Sequence, residues 1–140
     1  MEKEALDRIS ESFAAQSMMA TLGAELAEVG KGAVTIRAPI LPGTRQQQGF
    51  GHAGLTFSIG DSAAGYAALS LLPLDQEVVT AEIKVNLLAP ARGEVLIAKG
   101  QVVKPGRRLS VVTSEVFAVD QGKETLIAIL QGTMVPVPRS

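Results

Sequence analysis

The chain has 140 residues, of which 46% are hydrophobic and 19% are charged, and its formal net charge at pH 7 is -1. This length predicts one domain with a substantial core, which we assign to residues 1–140. The balanced charge argues against nucleic acid as a partner, and the lack of cysteine excludes disulfides, thiolate metal sites and a cysteine nucleophile. The charged start, "MEKEALDRIS", differs from a signal peptide, and charge and glycine interrupt the longest apolar stretch. We therefore predict a cytoplasmic protein with no membrane partner.

The first predicted element is an amphipathic helix over residues 2 to about 16. Leu6, Ile9 and Phe13 recur there at helical spacing, behind a first turn rich in acidic residues. Two strands follow, joined as a β-hairpin by a Gly-Lys-Gly turn, with the sequences "AELAEV" and "GAVTIRAPI". The next segment, "LPGTRQQQGFGHAG", is rich in glycine and polar residues and is predicted to be a loop.

Residues 54–72 are predicted to form a second helix, which is apolar on all sides and therefore buried. Four β-rich segments follow: "EVVTAEIKVNLLAP", "GEVLIAKGQVV", "RLSVVTSEVFAV" and "ETLIAILQGTMVPV". The turns between them are short, which predicts that consecutive strands pair as antiparallel neighbours. The order of elements predicts an α+β fold in which an antiparallel sheet wraps around one long central helix, with a further helix at the N-terminus.

The stretch "GFGHAG", Gly49 to Gly54, matches the G-x-G-x-x-G pattern of dinucleotide-binding loops. Such a site needs a buried strand before the first glycine and a βαβ crossover after it. The polar "TRQQQ" precedes Gly49, and no helices separate the later strands, so we predict no nucleotide cofactor. A glycine loop that opens a helix still aims free N–H groups at a ligand, which suits the oxyanion that develops in acyl transfer.

Asp61 is the most informative residue because it stands in an apolar helix without a cation three or four positions away. It lies seven residues after Gly54, on roughly the same helical face. Burial there predicts a raised pKa and a stronger base, whereas the alternative is an acid that caps backbone groups or faces solvent. His52 is the only histidine, so a metal site is not expected, and its residue type and position favour a structural role in the loop over that of a general base.

These residues together resemble the hotdog-fold acyl-CoA thioesterases, specifically the PaaI-like branch associated with phenylacetic acid degradation. In that family a loop ending in His-Gly-Gly opens the central helix, an acid follows nine residues after the His, and an Asn often precedes the His by six. In "QQQGFGHAGLTFSIGD" the matching positions are His52, Ala53, Gly54 and Asp61, with Gln46 at the Asn position. The strand pattern, including "NLLAPARG", extends the resemblance to roughly residues 14–136.

The resemblance implies hydrolysis of an acyl-CoA thioester to a carboxylic acid and free CoA. Asp61 would act as the general base that activates water, or as a nucleophile on the thioester carbonyl. The backbone N–H of Ala53, together with that of Gly54, would polarise the carbonyl, and His52 would hold the loop. Hotdog subunits pair so that their sheets join, which implies a homodimer or a homotetramer with sites between subunits.

Two departures from the family pattern bear on activity. Ala53 replaces the first glycine of His-Gly-Gly, which retains the N–H donor but narrows the approach to it. Gln46 replaces the Asn that would bind the attacking water or the thioester, and Gln48 is a possible substitute. Thr80 falls near a position where some relatives place a hydroxyl that orients water, although it also fits an ordinary strand threonine.

Further candidates for substrate contact lie outside the helix. A basic cluster flanks the Pro105–Gly106 turn and would either be solvated or bind the CoA phosphates: Lys104, Arg107 and Arg108. Asn86 and Arg92 are weaker candidates for the same role. Phe50, with other apolar residues of the region, would line an acyl pocket or belong to the core, and the acyl group itself is not predicted.

Two other functions compete with hydrolysis. The Ala53 and Gln46 departures favour a non-catalytic protein that binds acyl-CoA or another small ligand. A hotdog dehydratase ranks last, because its acid would be paired with a working histidine and His52 does not clearly fit that geometry.

Overall fold

The computed structural model describes every residue from Met1 to Ser140. Its helices are α1 (Lys3–Ala15), α2 (Ser17–Leu22) and α3 (Ala53–Leu69), with a short 3-10 turn at Pro42–Thr44. Its strands are β1 (Glu25–Gly30), β2 (Ala33–Pro39), β3 (Gln76–Leu87), β4 (Val95–Lys104), β5 (Ser110–Asp120) and β6 (Lys123–Pro138). All six form one antiparallel sheet in the order β1-β2-β4-β5-β6-β3. The predicted α+β architecture is confirmed.

The prediction that consecutive strands are neighbours is wrong for β3 and β4. β3 lies at the edge of the sheet and pairs with β6, from Gln76 opposite Pro138 to Leu87 opposite Ala128. The connection over residues 88–94 then passes β6 and β5 to reach β4. Three strand spacings amount to about 14 Å, which a connection of this length spans easily. Loop length therefore did not dictate pairing here.

Helix α3 lies on the inner face of the sheet, where apolar side chains surround it. Ile59, Ala63 and Ala67 are fully buried. Gly100 on β4 permits the closest approach, because a Cβ there would lie 2.3 Å from the carbonyl carbon of Ala63. This contact fixes α3 across the sheet. No helix of the structure has both the length and the apolar character that crossing a membrane requires.

Helix α1 packs against the end of α3 through part of the face that periodicity predicts, since Phe13 also packs against the core. Ile9 is fully buried, whereas Leu6 is 39% exposed and Arg8 is only 6% exposed. The Arg8 guanidinium donates hydrogen bonds of 2.7–3.0 Å to four backbone carbonyls, those of Leu69, Leu72, Pro73 and Gln76. The cation therefore joins α1 to the C-terminus of α3 and the start of β3, where a positive charge also complements the helix dipole.

Candidate functional site

The glycine loop before α3 is held in place by the connection between β3 and β4. The Gly51 N–H donates to the Ala91 carbonyl at 2.9 Å, and the His52 N–H donates to the Thr44 carbonyl at the same distance. The Arg92 guanidinium lies over the Phe50 ring, 4.5 Å from its centroid. Backbone pairing and one cation–π contact thus fix the loop immediately before the helix begins.

The side-chain amide of Gln46 makes three hydrogen bonds within this same loop. Its Oε1 accepts hydrogen bonds from the backbone N–H groups of Gln48, at 2.6 Å, and Phe50, at 3.2 Å. Its Nε2 donates to Oε1 of Gln48 at 3.2 Å. An amide NH₂ has two protons, so one N–H of Gln46 remains available to a ligand.

His52 is the N-cap of α3. Its Nδ1 accepts a hydrogen bond of 2.8 Å from the Gly54 N–H, which places the proton of a neutral imidazole on Nε2. The ring thus makes a hydrogen bond to the backbone at the junction of the loop and the helix. The Ala53 N–H makes no hydrogen bond within the chain. Ala53 therefore presents the available donor at the positive end of a 17-residue helix, whereas the Gly54 donor is already occupied.

Asp61 is half-buried near the middle of α3 and faces β3. The Thr80 hydroxyl donates to its Oδ1 at 2.8 Å. Thr80 lies at an irregularity in the register of β3 with β6, a feature that can redirect a side chain. Burial raises the pKa of Asp61 above the usual aspartate range, and the hydrogen bond from Thr80 opposes part of that rise.

Asp61 opens onto a cavity of about 190 Å³ between α1, α3 and β3, which we call the Asp61 groove. Its walls include Ser12, Gln16, Asp61, Gly65, Leu69 and Thr80. Sequence reasoning missed the contribution of α1. Ser12 lies on α1 and Gln16 caps its C-terminal end, and polar residues at such positions are ordinarily expected to face solvent.

A second cavity, of about 370 Å³, lies at the N-terminus of α3 and is called the loop pocket. Gln46, Gln48, Phe50 and Ala53 line it together with residues 87–91. The seven residues from Gly54 to Asp61 advance about 10 Å along the helix axis. Within one chain, therefore, the structure brings Asp61 together with Thr80, and Ala53 together with Gln46, but it does not bring the two pairs together.

The other predicted contacts lie at the surface. Lys104, Arg107 and Arg108 are exposed around the turn between β4 and β5. Ser110 follows this turn and pairs with Met134 on β6, and Met134 also pairs with Thr80 on β3. The basic turn therefore lies at the end of the sheet where Thr80 is located. Asn86 lines a different surface cavity with Glu82 and Lys84 and joins neither the groove nor the loop pocket.

The structure contains no cluster of three or more His, Asp or Glu side chains that could hold a metal ion. A larger concavity, of about 660 Å³, runs along the other face of the sheet beside Lys99, Thr113 and Glu115. These side chains alternate along their strands with residues that face α3, so this concavity lies on the side of the sheet away from Asp61 and the glycine loop.

The antiparallel sheet wrapped around α3 defines a hotdog fold. Residues 48–125 match the family model of the Thioesterase superfamily, so the chain belongs to that superfamily. The predicted resemblance is confirmed, and the protein is assigned to the hydrolases on that basis.

Solved structures agree with this assignment. A thioesterase family protein from Silicibacter pomeroyi is 41% identical, with a TM-score of 0.94 over 96% of this chain and 98% of its own. A conserved protein from Pseudomonas aeruginosa is 30% identical, with a TM-score of 0.79 over 87% of this chain and 94% of its own. The PaaI protein of the E. coli phenylacetic acid degradation operon is 20% identical, with a TM-score of 0.85 over 97% and 95%, and shares the fold.

Proposed function

We propose that the protein hydrolyses acyl-CoA thioesters to a carboxylic acid and free CoA, at sites formed between two copies of the chain. The observation that carries this proposal is the half-buried Asp61 carboxylate, hydrogen-bonded by Thr80 and open to a groove, in a member of the Thioesterase superfamily. A carboxylate with a raised pKa is a stronger base than an ordinary one, which suits removal of a proton from water.

The free edge of β3 supports a dimer. On this 12-residue edge strand Val79 is 48% exposed and Leu87 is 56% exposed. A long apolar edge invites pairing with another strand, and a two-fold axis would join β3 to the β3 of a second copy in antiparallel fashion. The Thr80 end of one copy then lies beside the Leu87 end of the other. That arrangement brings the Asp61 groove of one chain to the loop pocket of its partner.

In such a composite site the thioester oxygen accepts a hydrogen bond from the Ala53 N–H of one chain. Asp61 of the other chain removes a proton from water as the water oxygen attacks the carbonyl carbon. The tetrahedral intermediate expels the CoA thiolate, which takes up the proton held by Asp61. In the nucleophilic alternative, the Asp61 carboxylate attacks the carbonyl carbon and expels the CoA thiolate, which leaves a mixed anhydride. Water then hydrolyses the anhydride, which restores the Asp61 carboxylate and releases the carboxylic acid, and the second proton of the water passes to the thiolate.

The remaining residues have supporting roles in this proposal. Thr80 orients the Asp61 carboxylate, His52 holds the loop, and the unused N–H of Gln46 binds the water or the thioester. Lys104, Arg107 and Arg108 bind CoA phosphates from the turn near Thr80. We place the dimer, alone or paired into a tetramer, in the cytoplasm, which the absence of cysteine fits.

Replacement of Asp61 tests the proposal. In a CoA-release assay with short, long and aryl acyl-CoAs, we expect Asp61→Asn to lose at least about tenfold in rate, because the amide can act neither as a base nor as a carboxylate nucleophile. Asp120→Asn is the matched control, since Asp120 is exposed at the end of β5, and it should retain the wild-type rate. Equal rates for wild type and Asp61→Asn would contradict the mechanism.

One observation favours the non-catalytic alternative. Gln46 and Gly54 both have hydrogen-bonding groups committed to the loop itself, which leaves fewer donors for a transition state than the family pattern implies. A pure binding protein would bind acyl-CoA in a titration, yet wild type would release no CoA above the Asp61→Asn background.

Removal of the Thr80 hydroxyl should change the pH dependence of hydrolysis. The hydrogen bond from Thr80 favours the charged form of Asp61, so Thr80→Val should raise the pKa of Asp61 further. Because the ionised carboxylate is the active form, the acidic limb of the kcat/KM profile should move to higher pH. Thr113→Val, on the other face of the sheet, serves as the control. A limb that stays at its wild-type position would show that Thr80 does not tune Asp61.

A further inference from the structure

Gly65 is a helical glycine that packing within the chain does not explain. Glycine in a helix interior is less favourable than alanine, so such a position requires a reason. At Gly60 the reason is contact, because an added Cβ would lie 3.0 Å from both methyl groups of Leu130. At Gly65 the nearest atom to an added Cβ is Cε of Met134 at 3.9 Å, which is an ordinary contact. Alanine would therefore fit into the folded chain at this position.

The space beside Gly65 is the Asp61 groove. Gly65 follows Asp61 by one helical turn on the same face, and Leu69 follows Gly65 by another. The groove thus runs along α3 for about 12 Å, from the proposed reaction centre past Gly65 to Leu69. A side chain at residue 65 would project into this passage between α1 and β3.

The wall of the groove opposite β3 is fixed by a small hydrogen-bond network. Gln16 Nε2 donates to the Tyr66 hydroxyl at 3.0 Å, and the Ser12 hydroxyl lies 3.1 Å from the same oxygen. The Ser62 hydroxyl donates to Gln16 Oε1 at 3.3 Å. These groups satisfy one another, so moving the wall outward to admit a ligand beside an added methyl group would break paired hydrogen bonds. These hydrogen bonds therefore fix the width of the groove beside Gly65.

We infer that Gly65 determines which acyl groups the enzyme accepts. The acyl chain leaves the thioester carbon beside Asp61 and passes over Gly65 toward Leu69, so the substrates are acyl-CoAs whose acyl group extends several carbons beyond acetyl. This inference rests on the proposed thioesterase function, and it assigns to Gly65 a role in specificity without a role in the chemical step.

Gly65→Ala separates specificity from catalysis. For acyl-CoAs of six or more carbons we expect kcat/KM to fall about tenfold or more, the scale of one misplaced methyl group in a binding pocket. For acetyl-CoA, which ends before Gly65, it should stay within about twofold. The melting temperature should rise by roughly 2–4 °C, since alanine is the better helix former. Gly65→Leu should extend the loss to four-carbon acyl groups.

Gly30→Ala is the control, because Gly30 lies in β1 away from the groove and an added Cβ there meets only the Ala33 carbonyl at 3.7 Å. It should leave the substrate profile unchanged. An equal loss of Gly65→Ala activity on all acyl lengths, or a change in its sedimentation relative to wild type, would overturn the assignment to specificity. If wild type itself released no CoA from any thioester, the proposed function would fail instead, so the two failures are distinguishable.

Discussion

Ala53→Pro is expected to lower kcat for CoA release by about 100-fold to 1000-fold while the protein stays folded. The substitution deletes the one backbone N–H at the start of α3 that has no partner in the chain. Removal of a single oxyanion donor has an effect of this size in other acyl-transfer enzymes. Steady-state kinetics on the best acyl-CoA measure the loss, and it should appear in kcat more than in KM because the bond is strongest in the transition state.

The backbone at this position already suits proline. Ala53 is the first residue of α3, where the missing N–H breaks no helical hydrogen bond. His52 before it has φ -67° and ψ 145°, the extended conformation that a residue preceding proline prefers. Circular dichroism and the melting temperature should therefore match wild type. Ala53→Gly keeps the N–H and should stay within about threefold of the wild-type rate, so a similar loss in both variants would contradict the donor role.

Co-expression of Ala53→Pro with Asp61→Asn tests whether the site is shared between chains. Each variant alone has two defective sites. A mixed dimer joins Asp61 of one chain to the Ala53 N–H of the other in one of its two sites, so random mixing should restore about a quarter of the wild-type activity. No recovery in a purified mixed dimer would show that both groups act within a single chain, which the separation along α3 argues against.

The parts of the fold that the sequence predicts well are those with local signals. The apolar pattern over residues 54–72 predicts a buried helix, and the observed α3 spans Ala53–Leu69. The Gly-Lys-Gly turn likewise joins β1 and β2 as a hairpin. The position of β3 was not predictable in this way. A connection of seven residues reaches three strands away as readily as one, so only the packing of the whole sheet on α3 decides which edge β3 occupies.

The candidate site, like the fold, was predictable only where the sequence carries a local signal. Asp61 stands out in the sequence because a lone acid in an apolar helix needs a partner, and the structure supplies Thr80. The start of α3 after His52 was also predictable, because His52 belongs to the motif shared with the thioesterase family. The groove was not predictable, because its wall includes Ser12 on α1 and Gln16 just after it, and periodicity assigns such polar residues to solvent. The sequence does not show whether a helical glycine permits close packing, as Gly60 does, or leaves a cavity, as Gly65 does.

Arg8→Met is expected to destabilise the fold by about 3–5 kcal/mol, because the charge-assisted hydrogen bonds to four carbonyls at the end of α3 and the start of β3 are lost together. Thermal and urea unfolding at fixed protein concentration should show a melting temperature lower by about 10 °C or more. Arg8→Lys retains the charge but lacks the planar fork, so it should fall between wild type and Arg8→Met. Arg139→Gln removes an exposed arginine 3.4 Å from Glu77 and should cost less than about 1 kcal/mol. If the free energy of unfolding of Arg8→Met lay within 1 kcal/mol of that of Arg139→Gln, water would be an adequate substitute for the guanidinium. The apolar contacts of α1 and the Ser12–Tyr66 hydrogen bond would then be sufficient to hold α1 against α3.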